Sequence, residues 1–215
     1  MKKLVLFLAF VMVSIIAAQA APGPMTFKVD VAKSTFKWTG KKISGSHWGY
    51  IKLNNGMFTV SNGSVTSGDI NVNMNTIDCQ DTQGEYGDKL VGHLKSDDFF
   101  GVSKFPASML KIKSVMAKGG NQYDVKADLT IKGITHELSF PATIDVKGTE
   151  MKATAKVMVE RTKYGIRYGS GSFFENLGDK AIDNNFEMEV NLVAMGAAPA
   201  APAVTTKKAA KKSKS

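Results

Sequence analysis

Cysteine is almost missing from this chain: Cys79 is the only one in 215 residues. An intramolecular disulfide is therefore excluded, and so is any structural zinc site built on several thiolates. What remains for Cys79 is a quiet, partly buried thiol or a link between two chains. Histidine is nearly as scarce, with three residues, His47, His93 and His136. None is paired with another at helical or strand ligand spacing, and none has a cysteine or carboxylate cluster beside it in sequence, so no metal site is expected. The Gly-x-Ser-x-Gly nucleophile elbow is absent, as is a glycine-rich phosphate loop. Gly169-Ser170-Gly171-Ser172 reads as a flexible loop instead. No catalytic residue is assigned, and no cofactor is required. The chain also lacks an apolar run of the ~20 residues that a membrane-spanning helix needs. Its longest one, Leu4 to Ile16, falls short.

That short run has a different reading. Lys2 and Lys3 precede it, and Ala18-Gln19-Ala20 follows as a small-residue cleavage site. Residues 1–20 thus read as a secretory signal peptide, with a periplasmic or secreted product expected. Residues 197–215 read as a tail, Ala/Pro-rich and then basic through Lys207, Lys208, Lys211, Lys212 and Lys214. The net charge of +9 is concentrated at these ends, two lysines in the first and five in the second, which leaves about +2 on the body. The basic balance is therefore no argument for nucleic-acid binding. It suits contact of the tail with an anionic envelope surface. Residues 21–196 have the length of one domain with a substantial core.

Within the body, apolar residues alternate with polar ones almost throughout. Phe27, Val29 and Val31 alternate, then Phe36 and Trp38 after a turn at Ala32-Lys33-Ser34. His47 to Asn54 and Met57 to Val60 read as strands separated by a hairpin turn at Asn54-Asn55-Gly56. Ile70, Val72 and Met74 lie on one face of the next strand, with Asn71, Asn73 and Asn75 on the other. Further strands are expected over Ala107 to Val115, Tyr123 to Ile131, Leu138 to Val146, Met151 to Val159 and Phe186 to Leu192. About eight short strands joined by tight turns, without a βαβ rhythm, predict an all-β antiparallel barrel, since closure removes exposed edges. Lysine, aspartate and asparagine on the outward positions argue against a lipid-facing outer-membrane barrel.

The alternation breaks once. From Gly84, a short helical segment brings Leu90, Val91 and Leu94 onto one face, followed by Asp97-Asp98 and the pair Phe99-Phe100. This segment reads as a cover laid on the barrel. Inward alternation nominates Phe36, Trp38, Ile70, Met74, Leu110, Leu129, Phe140, Val157, Phe173, Phe174 and Met188 as interior residues, with Leu90, Leu94, Phe99 and Phe100 covering them. The chain has twelve phenylalanines and eleven methionines, some of each within residues 1–20, and the rest are available to that interior. An eight-stranded barrel either packs shut or holds one ligand, and both readings stand at this point. Arg161, Lys163 and Arg167, beside Tyr164 and Tyr168, either hold a phosphate or quinone head or form an ordinary basic loop.

Five blocks occur in order: Ser34-Thr35-Phe36-Lys37-Trp38-Thr39-Gly40 with His47-Trp48-Gly49; Gly68-Asp69-Ile70-Asn71-Val72-Asn73-Met74; His93-Leu94-Lys95-Ser96-Asp97-Asp98-Phe99-Phe100 with Phe105-Pro106; Ala127 to His136 running into Phe140-Pro141; and Arg161-Thr162-Lys163-Tyr164-Gly165-Ile166. Together they resemble the YceI-like family of bacterial periplasmic, polyisoprenoid-binding proteins, from Phe27 to Val193. The resemblance implies a lipocalin-like β-barrel with a helix packed at it. It also implies an elongated apolar cavity for a long isoprenoid or similar amphiphile, quinone-type tails included. Arg161, Tyr164 and Arg167 are the candidate head-group contacts. The matched blocks define the fold rather than a catalytic site, and the tail after Gly196 has no counterpart in the pattern. Two other readings compete with a binding barrel: a filled structural barrel held to the envelope by its tail, and an enzyme acting on a lipid.

Overall fold

The computed structural model describes residues 23–197; the expected signal peptide and the basic tail lie outside the described residues. Alternation produces strands wherever it is sustained: β1 Met25–Val29, β2 Thr35–Lys42, β3 Gly45–Tyr50, β4 Lys52–Ser61, β5 Ser64–Asn73, β6 Ala107–Gly119, β7 Gln122–Ile131, β8 Ile134–Lys147, β9 Glu150–Glu160 and β10 Ile182–Gly196. The break in alternation is the helix α1, Gly84–Lys95.

All neighbouring strands pair antiparallel. From β4 the order runs β4-β5-β6-β7-β8-β9-β10, and β10 returns to β1, which pairs with β4. β10 is long enough to hold β2 along Ile182 to Asn191 and β1 along Ala194 to Gly196. Thus β1 and β2 form one kinked strand, with Asp30 holding the kink by accepting the N–H groups of Ala32 and Lys33. β3 and β4 continue one another in the same way, with the Ile51 N–H donating to the Phe36 carbonyl between them. The result is a closed eight-stranded barrel, with the segment before α1 rather than a strand bonded along the outer side of β3.

The hairpin expected at Asn54-Asn55-Gly56 does not form. These residues run through β4 as a bulge opposite Val72 and Asn71. Gly56 is required for another reason: a Cβ there would meet the Val29 side chain at 2.7 Å. The glycine marks a close approach between strands rather than a reversal.

Inward side chains stack in rows across the ladder. Trp38, Met188 and Val157 make one row, and Phe36, Val190, Ala155 and Ala142 the next. Outward residues form a charged lattice, with Lys37 and Lys156 against Glu189, and Lys113 and Lys126 against Glu137. These pairs are exposed and add little stability, but they keep the outer face wetted. One end of the barrel is filled, where Phe27, Met151 and Ala194 are fully buried. α1 sits at the other end.

Candidate functional site

The helix is anchored by Leu94, which is buried, with Leu90 packed partly against the core. Its exit is tightly turned: the Phe100 N–H donates to the Leu94 carbonyl and the Val102 N–H to that of Lys95. This fold-back drives Phe99 into the barrel end and sets Phe100 edge-on to Phe186, ring centroids 6.2 Å apart.

Beneath this cover lies an apolar cavity of about 220 Å³. Of the residues nominated from sequence, Phe36, Trp38, Ile70, Met74, Leu94, Phe99, Phe100, Leu110, Leu129, Phe140, Val157 and Met188 line it. Three do not. Leu90 packs beside the wall without reaching it, because it lies one helical turn from Leu94. Phe173 and Phe174 are 46 % and 50 % exposed, on the outside of the glycine-rich segment that follows β9. No alternation exists in that segment to assign a face, so apolarity alone misplaced them.

The lining residues not nominated from sequence include large ones, among them Ile51, Phe58, Val125, Ile144, Phe186 and Leu192, and three alanines. Ala142, Ala153 and Ala155 take inward positions on β8 and β9 and also line the cavity. Ala142 and Ala155 face each other directly. Space exists in the barrel because three inward positions that a filled core gives to large side chains are alanine. The signal was present in the alternation, as inward positions of low volume. The volume is smaller than the ~300–1,000 Å³ typical of small-molecule sites. A ligand larger than this volume would have to displace flexible side chains such as Met74 and Met188, or keep one end outside the barrel.

Arg161 is the one charged residue buried among the described residues, at 3 % exposure, and it borders the cavity below Phe99, with its guanidinium 5.8 Å from that ring. It is not held by a carboxylate. Nε donates to the Asp183 carbonyl at 2.8 Å, Nη1 to the carbonyls of Ile166 and Tyr168 at 2.9 Å each, and Nη2 to that of Ile182 at 3.0 Å. Burial pulls its pKa down, and the nearby Asp183 charge works the other way; an arginine stays charged regardless. Of about five N–H donors on a guanidinium, four are committed to main chain. Arg161 is thus first a clasp joining the end of β9 to the start of β10.

The other head-group candidates are placed elsewhere. Tyr164 is buried, with its ring 5.3 Å from that of His136 and its phenol pKa pushed up by burial, and it does not reach the cavity. Arg167 is exposed and lies over Phe173 at 4.6 Å. The sequence grouped Arg161, Tyr164 and Arg167 by proximity; the 3-10 turn Arg161–Tyr164 sends them in different directions.

The histidines separate too. His93 lies between Phe99 and Tyr168, and His136 contacts the Lys163 carbonyl. At His47 a carboxylate and a cysteine that are not beside it in sequence converge in space. His47 meets Asp81 at 2.8 Å, and the Cys79 thiol donates to the same carboxylate at 3.4 Å. Partial burial works against charge on Asp81, but the Trp48 N–H, His47 and Cys79 together hold its pKa at about 2. Linear spacing hid this cluster because β3 and the segment before α1 meet only in the folded chain.

A closed antiparallel barrel with an internal apolar cavity and a helix across one end defines a cavity-containing β-barrel. The chain belongs to the YceI-like domain family, whose model matches residues 27–194. It is 34% identical over 107 residues to a UPF0312 protein of Shewanella denitrificans, covering 47% of this chain and 54% of that one. It is 31% identical over 103 residues to Protein YceI of Escherichia coli O157:H7, covering 48% and 51%. The chain thus matches about half the length of these curated relatives. Its fold is shared with Burkholderia cenocepacia BcnA, at a TM-score of 0.64 and 18% identity over 78% of this chain and 99% of that one. It is also shared with a polyisoprenoid binding domain from Saccharophagus degradans implicated in plant cell wall breakdown, at a TM-score of 0.58 and 12% identity over 80% and 98%.

Proposed function

We propose that this protein is an exported, non-catalytic binding protein that holds a polyisoprenoid or similar long-chain amphiphile in its barrel, for sequestration or transport in the cell envelope. The observation that carries the reading is the cavity itself, apolar around its wall, with Arg161 bordering it near the helix-covered end. Family membership and the named ligand class of the Saccharophagus domain support it. A site of this kind selects for the tail. Each five-carbon unit buried contributes roughly 3–4 kcal/mol, against about 4–15 kcal/mol lost on association. One unit is too weak and several suffice, so short terpenoids should bind poorly. A quinone or phosphate head would lie at the Arg161 end.

The test is native mass spectrometry of the protein purified from its envelope compartment, followed by extraction of what it carries. A stoichiometric long-tailed lipid is the expected result. An empty barrel that takes up no added polyprenyl lipid would overturn the proposal in favour of a filled structural barrel.

Two further outcomes follow from the same reading. Leu94→Asp removes the anchor of α1 and should release bound lipid about ten- to a hundredfold faster, the equivalent of losing one buried leucine contact of about 1.5–3 kcal/mol; retention at the wild-type rate in a folded variant would show that α1 is not a cover. Truncation after Gly196 should weaken binding to anionic vesicles at low salt, by up to about 1 kcal/mol for each lysine near the surface. Cavity binding should be unchanged in that truncated chain.

A further inference from the structure

The meeting of His47, Cys79 and Asp81 lies outside the cavity and plays no part in the binding reading. Their ligand atoms, an imidazole Nδ1, a thiol Sγ and a carboxylate oxygen, fall within 4.8 Å of one another. His47 and Cys79 are half-buried and Asp81 is exposed, so an ion can reach the group from solvent.

The backbone around the three is fixed. The residues just before α1 run along the outer side of β3 as an added rail. Asp78 and Gln80 donate their N–H groups to the carbonyls of Tyr50 and Trp48. In return, the Tyr50 N–H donates to the Asp78 carboxylate at 2.6 Å and the Trp48 N–H to Asp81 Oδ1 at 2.7 Å. Trp38 Nε1 donates to the Asp78 carbonyl at 3.0 Å. Gly49 lets the rail come this close, since a Cβ there would run into the Asp78 carbonyl. Cys79 and Asp81 are therefore presented to His47 by main-chain bonds, which is the supporting shell a metal site needs.

We propose that His47, Cys79 and Asp81 bind a divalent late transition-metal ion of the zinc type, with water in the fourth position. The ligand set is one imidazole, one thiolate and one carboxylate, which suits a borderline-soft ion and disfavours Mg²⁺ and Ca²⁺. Metal–ligand lengths of about 2.0–2.3 Å place tetrahedral ligand atoms roughly 3–4 Å apart. The three groups are already near that spacing: Nδ1 is 2.8 Å from Oδ2, Sγ is 3.4 Å from Oδ1 of the same carboxylate, and one ligand atom from each residue lies within 4.8 Å of the other two. Hydrogens now fill the gaps that the ion would occupy. On binding, the imidazole moves its proton from Nδ1 to Nε2, the thiol releases one proton to water, and thiolate and carboxylate neutralise the dication. Oδ1 keeps the Trp48 N–H, which continues to orient the carboxylate.

The purified chain, kept reduced, is titrated with Co²⁺ and then with Zn²⁺. One Co²⁺ per chain should give thiolate-to-cobalt charge-transfer absorption and the strong visible bands of four-coordinate cobalt, and one equivalent of Zn²⁺ should remove both. Losing a ligand should exceed the 10–100-fold effect of losing a supporting residue, so Cys79→Ser and His47→Gln should each weaken Zn²⁺ binding by more than about a hundredfold. Tryptophan fluorescence and circular dichroism establish that these variants are folded. Absence of the charge-transfer band in the wild-type protein overturns the proposal whatever the variants do. Zn²⁺ affinity unchanged in both variants overturns it equally, since the ion is then held elsewhere.

Discussion

Ala155→Phe should cut binding of a polyprenyl lipid about a thousandfold and leave the barrel folded. Ala155 is inward on β9, opposite Ala142 and next to Val190, on the wall of the cavity. A phenyl ring there occupies the space that the alanines leave open. Excluding one five-carbon unit forfeits about 4 kcal/mol of apolar burial, which corresponds to about three powers of ten in Kd. Stability should hold or rise, because filling a void recovers contacts that the empty barrel lacks. Lipid titration alongside urea unfolding separates the two effects. Lys156→Ala, on the exposed face of the same strand, is the control and should change neither. Undiminished binding by Ala155→Phe would mean that the tail lies outside the cavity.

Arg161→Met should destabilise the fold by about 3–5 kcal/mol, the range for breaking a buried charged hydrogen-bond network. The methionine fills the volume but leaves the carbonyls of Ile166, Tyr168, Ile182 and Asp183 without their donor. At roughly 2–4 °C per kcal/mol for a domain of this size, the melting temperature should fall by about 10 °C. Arg161→Lys should recover only part of the loss, since an ammonium keeps the charge but cannot reach carbonyls arranged around a planar fork. A methionine variant as stable as wild type that has lost its ligand would reverse the order of importance, making head-group contact the main task of Arg161 and the clasp secondary.

The class of fold was legible because alternation is a local property. With a period of two, each strand declares its inward face without reference to any other strand, so Phe36, Trp38, Ile70, Leu110, Leu129, Phe140, Val157 and Met188 were all assigned to the side they occupy. The helix was legible for the same reason, as the one place where apolar spacing changes period. The readings that failed lie where no period operates. Asn54-Asn55-Gly56 has the composition of a turn, but it runs through β4 as a bulge, with Gly56 packed close against Val29. Phe173 and Phe174 are apolar in a segment that shows no rhythm.

By itself, then, the sequence determined the strands, their inward faces, the covering helix and the family pattern. Tertiary structure decided the rest. Strand register set Ala142 against Ala155, the segment after β9 and the start of β10 gathered four carbonyls around Arg161, and the packing of the segment before α1 along β3 brought Cys79 and Asp81 to His47. These placements depend on register and on which segments meet, and a pattern repeating every two residues carries no information about either.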